Sequence, residues 1–543
     1  MLFRLVILAI FYFFPGLLSF SQPGEIKGAV TGRNGSMIEA ATVSIPRLHI
    51  GTATDSTGHY HLKDVPYGTW ELEISYTGYE TFRAFIIVDN SSPVIYNVTL
   101  KASGAASLDE VVVTGTMREV SRLASPVPVE VYTPAYFKKN PTPSLFDAVG
   151  LINGVKPQLN CNVCNTGDIH INGMEGPYTM VLIDGMPVIS ALSTVYGLSG
   201  IPNSMVERIE VVKGPASSLY GSEAMGGIIN VITKNPMKAP LVSADVFGTT
   251  WGELSADAGV KFNTGKATGL FGLNYFNFNN RVDNNSDHFT DLTLQNRISL
   301  FNKWSFSRKE NRVASLAARY VYEDRWGGDM RWNESFRGSD SIYGESIYTK
   351  RAEVIGLYQL PLKEKIFMQF SYNYHDQNSY YGHTPYMATQ QVGFLQSYWD
   401  KPLGGEHNLL LGAALRYTRY DDNTPATAAA DGSKNKPADT PLPGVFVQDE
   451  WRVSSRHTIL LGYRYDHDKN HGNIHSPRLA YKFSPGKNNT LRASFGTGFR
   501  VVNLFTEDHA ALTGARQVVI KEALDPERSY NGNLNYVLRI ATG

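Results

Sequence analysis

Residues 181–234 read VLIDGMPVISALSTVYGLSGIPNSMVERIEVVKGPASSLYGSEAMGGIINVITK. Short β-rich runs at 181–184, 209–213 and 228–233 are separated by Gly and Pro turns, a pattern that predicts a small mixed α+β domain and excludes a helix bundle. Gly226-Gly227 is no phosphate loop, because no Lys-Ser or Lys-Thr follows it.

At 543 residues the chain has room for roughly three or four units. Its 50 basic and 50 acidic residues cancel, so nothing calls for a nucleic-acid partner. Aromatic residues make up 12% and tyrosines number 30, which suits interfacial aromatic girdles. Arg4 precedes an apolar run at 5–18, broken by Pro15 and Gly16, and Ser19-Phe20-Ser21 forms a small-x-small site before Gln22. Residues 1–21 therefore read as a signal peptide, the run being short of the ~20 residues that span a bilayer. No later stretch reads as a membrane helix, which leaves a closed barrel as the way to satisfy backbone groups in lipid.

Residues 22–101 alternate strand and turn, with strands expected at 26–30, 41–45, 59–62, 70–76, 82–88 and 95–100, an Asp-to-Gly turn within 51–60 and a further turn at 65–68. Glu71 and Glu73 against Leu72 and Ile74 mark one solvated and one buried face, and the expectation is a β-sandwich. A small, polar linker at 102–107 leads into Leu108-Asp109-Glu110-Val111-Val112-Val113-Thr114-Gly115-Thr116. Taken alone, that valine run reads as a core strand. Within 118–236, residues 144–149 read as a short helix set between Pro143 and Gly154. Beyond Met237, long alternating strands begin. At 408–420, Leu409, Leu411, Ala413, Leu415 and Tyr417 oppose Asn408, Gly412, Arg416 and Thr418. At 458–466, Ile459, Leu461, Tyr463 and Tyr465 oppose Thr458, Gly462, Arg464 and Asp466. This is the apolar-out, polar-in dyad of a transmembrane antiparallel β-barrel. Polar intervals at 421–441 and 323–344 read as extracellular loops, and 454–456 and 485–487 as periplasmic turns. About 14 strands are expected in 237–543, against roughly 22 in plugged transporters. With the chain ending at Ile540-Ala541-Thr542-Gly543, the expectation is a truncated, partial barrel.

The two cysteines, Cys161 and Cys164, are spaced Cys-x-x-Cys, compatible with a disulfide, a soft-metal site or a redox pair. His170, Met174, Met180 and Met186 are close in sequence, and thiolate, thioether and imidazole together suit copper more than ferric iron. His471, His475 and His509 read as solvated loop residues within possible reach of a heme. No nucleophile, base and orienting acid recur at recognisable spacings, so an enzyme is not expected.

Residues Ile183-Asp184-Gly185, 206–215 (VERIEVVKGP), Leu219-Tyr220-Gly221 and 224–232 (AMGGIINVI) closely resemble the plug domain of TonB-dependent outer-membrane receptors. Residues 22–101 look like the carboxypeptidase regulatory-like module fused ahead of such receptors in Bacteroidetes. The resemblance implies a mainly β architecture of N-terminal β-sandwich, α+β plug at 118–236 and transmembrane barrel. It makes Asp109, Glu110, Val111, Val112, Val113, Thr114 and Gly115, within a linker at 102–117, the TonB box, poised to add as a strand to a partner's sheet edge. It assigns Arg208 and Glu210 to charge pairing with the barrel wall. It implies TonB, with ExbB and ExbD, as partner, outer-membrane lipid as surroundings, a periplasmic N-terminal domain and no required cofactor. The commonest cargo of such receptors is an iron complex, a ferric siderophore or heme. Copper, through the Cys/Met segment, and a ligand-sensing signalling or adhesion receptor are the alternatives.

Overall fold

A computed structural model describes residues 23–32, 35–48, 50–76, 79, 81–89, 92–101, 111–161, 166–187, 194–429, 434–486, 488–501 and 525–538. The expected signal peptide lies outside them. The chain divides into two compact units, residues 1–107 and 108–543.

The first unit is built from two four-stranded sheets. In one, Pro23–Gly32 pairs antiparallel with His59–Pro66 and parallel with Val94–Ile95 and Val98–Leu100; the other runs Ile50–Ala53, Thr42–Ile45, Gly68–Ser75, Phe82–Val88. Ile26, Val30, Val43, Leu72, Ile74 and Val88, all at 0% exposure, form its core. The Asp-to-Gly turn expected within 51–60 forms at 55–58, where Asp55 Oδ1 accepts from Thr57 N (2.8 Å), Thr57 Oγ1 (2.7 Å) and His59 N (2.9 Å), and Ile50–Ala53 before it is strand. The single strand expected at 95–100 is broken, because Tyr96 O accepts from Tyr60 Oη (2.6 Å) and Asn97 Oδ1 from Ala29 N (2.8 Å). Gly28 permits that approach: a Cβ there would lie 1.9 Å from Tyr96 O.

In the second unit a five-stranded mixed sheet has the order Glu130–Tyr132, Val206–Lys213, Gly227–Thr233, Thr179–Ile183, Met186–Pro187. It is buried on both faces. Val181, Ile183, Ile209, Val211, Ile229 and Val231 enter one apolar cluster, while Met180, Leu182, Val212 and Ile228 enter another, as the two-residue strand period requires. The helix expected at 144–149 is Leu145–Ala148, capped by Ser144, whose Oγ accepts from Asp147 N (3.3 Å).

Fourteen antiparallel strands, from Val242–Gly248 to Glu527–Leu538, follow one another in chain order. They curl around the sheet domain: wall side chains of Asp257, Ser299, Lys303, Arg319, Ser371, Asp400, Arg416, Gln448, Arg464, Lys482, Arg492 and Asn531 all bond to it. On His407–Asp422, Leu411, Leu415 and Tyr417 face outward (36%, 44% and 40% exposed) while Leu410 and Tyr420 are buried inward. Connections at one end are short: 265–266, 307–313, 360–364, 404–406, 453–456. At the other end, 279–293, 329–343 and 423–437 are long. The long connections are shorter than expected, since Trp326 lies in Ala314–Gly328, Asp421 and Asp422 end a strand, and residues 438–441 begin Ala438–Arg452. Likewise Pro485 and Gly486 complete Gly472–Gly486. Ladder hydrogen bonds carry the strands past the alternating segment that the sequence pattern marks. Among the described residues no helix is long and apolar enough to cross a membrane, and the wall is made of strands.

Candidate functional site

The segment expected to be the TonB box is held by Val206–Lys213, the plug strand that carries Arg208 and Glu210. Asp109 and Glu110 lie outside the described residues. Val111–Val112 pairs antiparallel with Val120–Ser121, leaving Val111 47% exposed and Val112 buried. The chain then turns inward, and buried Thr114 becomes the centre of a knot. Glu210 Oε2 accepts from Val113 N (3.0 Å), Thr114 N (2.9 Å) and Thr114 Oγ1 (2.6 Å). Thr114 Oγ1 also accepts from Asn230 Nδ2 (2.9 Å), and Thr114 O from Tyr220 Oη (3.0 Å). Strand register sets Glu210 opposite Asn230, which brings both side chains to the same threonine. Burial, with the Glu210 carboxylate close by, raises the Tyr220 phenol above its ordinary range and keeps it a donor. Gly115 continues the segment where space is short, an added Cβ falling 3.0 Å from Val129 Cγ2.

Arg208 and Glu210 therefore do not pair with the barrel wall. Arg208 Nε and Nη2 reach Glu210 Oε1 (2.9 and 2.8 Å), and Nη1 reaches Glu207 (3.0 Å). The reason is position: Val206–Lys213 is flanked on both sides by strands, so its side chains meet the sheet's own faces. Plug-to-wall ion pairs come from turns and extended segments: Asp184–Lys303 (2.8 Å), Glu223–Arg416 (3.2 Å) and Arg118–Asp400 (2.9 Å). Asp184 and Gly185 both have positive φ (50° and 80°), forming the two-residue turn between Ile183 and Met186. Asp184 also accepts from Thr233 N (2.8 Å) and Oγ1 (2.7 Å), tying turn, sheet and wall together. An Asp-Gly pair between two apolar runs is a turn signal readable in sequence; its partner Lys303 is not.

The proposed metal set does not converge. Met180 and Met186 are buried in apolar clusters on opposite faces of the sheet, Met174 packs against Gly226, and His170 Nε2 pairs with Asp168 Oδ1 (2.8 Å). The two-residue turn sets Met186 opposite Ile183, three positions on from Met180, so the two methionines feed different faces, which spacing in sequence conceals. Cys161 ends the strand Val155–Cys161; its side chain and the whole of Cys164 lie outside the described residues. Among the described residues no group of three or more His, Cys, Asp or Glu could hold a metal. His475 Nδ1 meets Tyr463 Oη at 2.6 Å, and His509 is outside the description.

A strand meander wrapped around a compact mixed sheet, preceded by a segment knotted to that sheet, defines a plugged β-barrel receptor. Residues 121–228 match the TonB-dependent receptor plug domain, 250–541 the TonB-dependent receptor-like β-barrel and 26–113 the CarboxypepD_reg-like domain. The chain belongs to the TonB-dependent receptor family, a family of receptors and not of enzymes. It is 27% identical to the iron-regulated outer membrane virulence protein of Vibrio cholerae over 70% of this chain and 58% of that one. It is 24% identical to the ferric enterobactin receptor PirA of Pseudomonas aeruginosa (81% and 69% covered) and 25% to the vitamin B12 transporter BtuB of V. cholerae (77% and 66%). The chain thus spans 58–69% of the length of these relatives. In fold it is similar to the siderophore receptor PirA of P. aeruginosa (TM-score 0.57, 18% identity, 76% and 72% covered) and to that of Acinetobacter baumannii (0.59, 16%, 76% and 68%).

Proposed function

We propose that this chain is the receptor for active, TonB-driven uptake of an iron chelate, a ferric siderophore or heme, across the outer membrane, with its long connections outside and its N-terminal sandwich in the periplasm. The observation that carries the reading is the Thr114 knot. Val111 to Thr114 is held by a carboxylate, an amide and a phenol of the plug, all on one side of the sheet. Charge-assisted bonds to Glu210 hold the docked state, at about 1.5–3 kcal/mol each. Ligand bound at the far side of the plug promotes release by favouring the undocked state, and the freed valines add as a strand to TonB. ExbB, ExbD and the inner-membrane proton gradient supply the work. The iron-regulated and ferric enterobactin relatives support iron as cargo, which enters as substrate and not as a resident cofactor.

Uptake of radiolabelled ferric chelates and of heme should be measured in cells lacking this receptor, complemented with the full gene, with and without TonB. Accumulation that needs both proteins is expected. Accumulation indifferent to TonB, or none for any iron compound, sinks the reading.

A further inference from the structure

Buried cations stand on two stretches of the inner wall, and their compensation differs between the two. On Leu294–Phe306, Ala314–Gly328 and Gly344–Gln359, buried Arg297 and Arg325 share Glu323, and buried Arg319 and Arg351 share Glu353. On the wall made by His457–Asp468, Gly472–Gly486 and Asn489–Arg500, the balance fails partway along. Near the long-connection end Arg500 pairs with Glu527 (3.3 Å) and Arg464 with Asp466 (2.7 Å). Toward the short-turn end stand Arg478, Lys482 and Arg492, and among the described residues none of the three makes an ion pair. Glu450 acts on Lys482 only from beyond ion-pair contact.

Arg478 is 5% exposed and lies in register between Gly462 and Gly496, neither of which can cover it, and its Nε has no hydrogen-bond partner. Arg492 is opposite Lys482. Four residues along a strand separate its level from that of Arg478, roughly 13 Å; Arg464, opposite Ser476, is roughly 7 Å the other way. The row therefore descends the barrel from one end to the other.

What meets these cations is plug backbone. Leu219 O accepts from Arg464 (3.2 Å), Ala124 O from Lys482 (3.0 Å), and Ser125, Leu123 and Arg122 carbonyls from Arg492 (2.9, 3.1 and 3.2 Å). A carbonyl satisfies a donor without cancelling its charge, so the buried Arg478 and Arg492 guanidinium groups stand uncompensated, a costly arrangement, with the half-buried Lys482 ammonium opposite Arg492. The carbonyls belong to 122–125, the segment that follows the Thr114 knot in the chain. A pull on the knot draws first on 116–125, stripping neutral acceptors from the lowest cations.

Resting on the uptake reading, we propose that cargo descends between this wall and the plug segments 122–125 and 214–225, and that the cargo is an anionic chelate whose oxygens replace the plug carbonyls on Arg464, Lys482 and Arg492 and bind Arg478 on the way between them. Charge selection is then made during passage as well as at the outer binding surface.

The test uses the full-length receptor in its native outer membrane and three radiolabelled probes: an anionic ferric tris-catecholate, a neutral ferric tris-hydroxamate and cyanocobalamin. Surface binding is read in de-energised cells, uptake in energised ones, both normalised to receptor present. In an Arg478→Gln, Arg492→Gln double variant, binding of the catecholate should hold while its uptake falls about tenfold or more. An Arg478→Lys, Arg492→Lys variant should restore most of it, and uptake of any neutral probe should not change. If the double variant does not assemble, Arg492→Gln alone carries the same expectation. Unchanged catecholate uptake, an equal loss for neutral probes, or failure of lysine to rescue overturns the route while leaving receptor-mediated uptake intact. A wild type that takes up only neutral probes does the same. A wild type that takes up none of the three overturns this inference, and the uptake reading falls with it only where heme is refused as well.

Discussion

Thr114 stands at the centre of the knot, because a single hydroxyl both donates to Glu210 and accepts from Asn230. Replacing it with valine keeps the shape and removes both bonds, leaving the buried Asn230 Nδ2 without this acceptor while Glu210 keeps its backbone donors and Arg208. Thr114→Val should weaken docking by about 1–3 kcal/mol, roughly tenfold in the docked-to-free ratio. Thiol labelling of a Val112→Cys reporter, buried in the docked state, should accelerate by that factor; an unchanged labelling rate would show that the knot does not hold the segment. Asp184 is a second residue of this kind, taking a left-handed turn and Lys303 at once.

Elements here are decided by which face each strand turns to a neighbour. In the N-terminal sandwich, Tyr60 is 4% exposed and donates to Tyr96 O, and burial pushes its phenol from 10.0 to about 12. A raised folded value favours the neutral form in the fold, so its contribution is complete below pH 10, the ordinary value, and is lost as pH rises toward about 12. The urea midpoint of this unit, followed by Trp70 fluorescence, should drop between about pH 9 and about pH 12, with a shallower drop in Tyr60→Phe. An identical slope in the variant would exclude Tyr60 as its cause. In the wall, Leu415 faces outward at 44% exposure. Leu415→Lys should cost about 2–4 kcal/mol in lipid, seen as an earlier urea transition in bilayers, and no shift would mean that this face does not meet hydrocarbon.

At the level of the whole molecule, the proposed uptake requires Val111–Val112 to leave Val120–Ser121 and reach TonB. Val112 lies directly opposite Val120, and antiparallel partners bring Cβ atoms to ~5 Å, within disulfide reach. A Val112→Cys, Val120→Cys receptor should bind iron chelate normally, take up almost none when oxidised, and recover on reduction. Full uptake while oxidised would mean that the segment works without leaving its hairpin.

Much of this was legible in residue order alone, since it depends on local periodicity and turn chemistry. The dyad of Leu411, Leu415 and Tyr417 announced a membrane-facing wall, the count of about 14 strands matched the fourteen described, and Asp184-Gly185 marked its turn. Side-chain partnership was not legible. Arg208 and Glu210 look like free charges until sheet order encloses them, and Met180 and Met186 look like one site until the hairpin register, which sets Met186 opposite Ile183, sends them to opposite faces. Nothing in the spacing of Thr114, Glu210 and Asn230 shows that they meet, nor that Arg478 and Arg492 stand on one wall without an acid beside them. The sequence by itself determined the strands, their faces and the family; the tertiary structure decided which buried charges are paired, because pairing depends on register and on contacts between residues hundreds of positions apart.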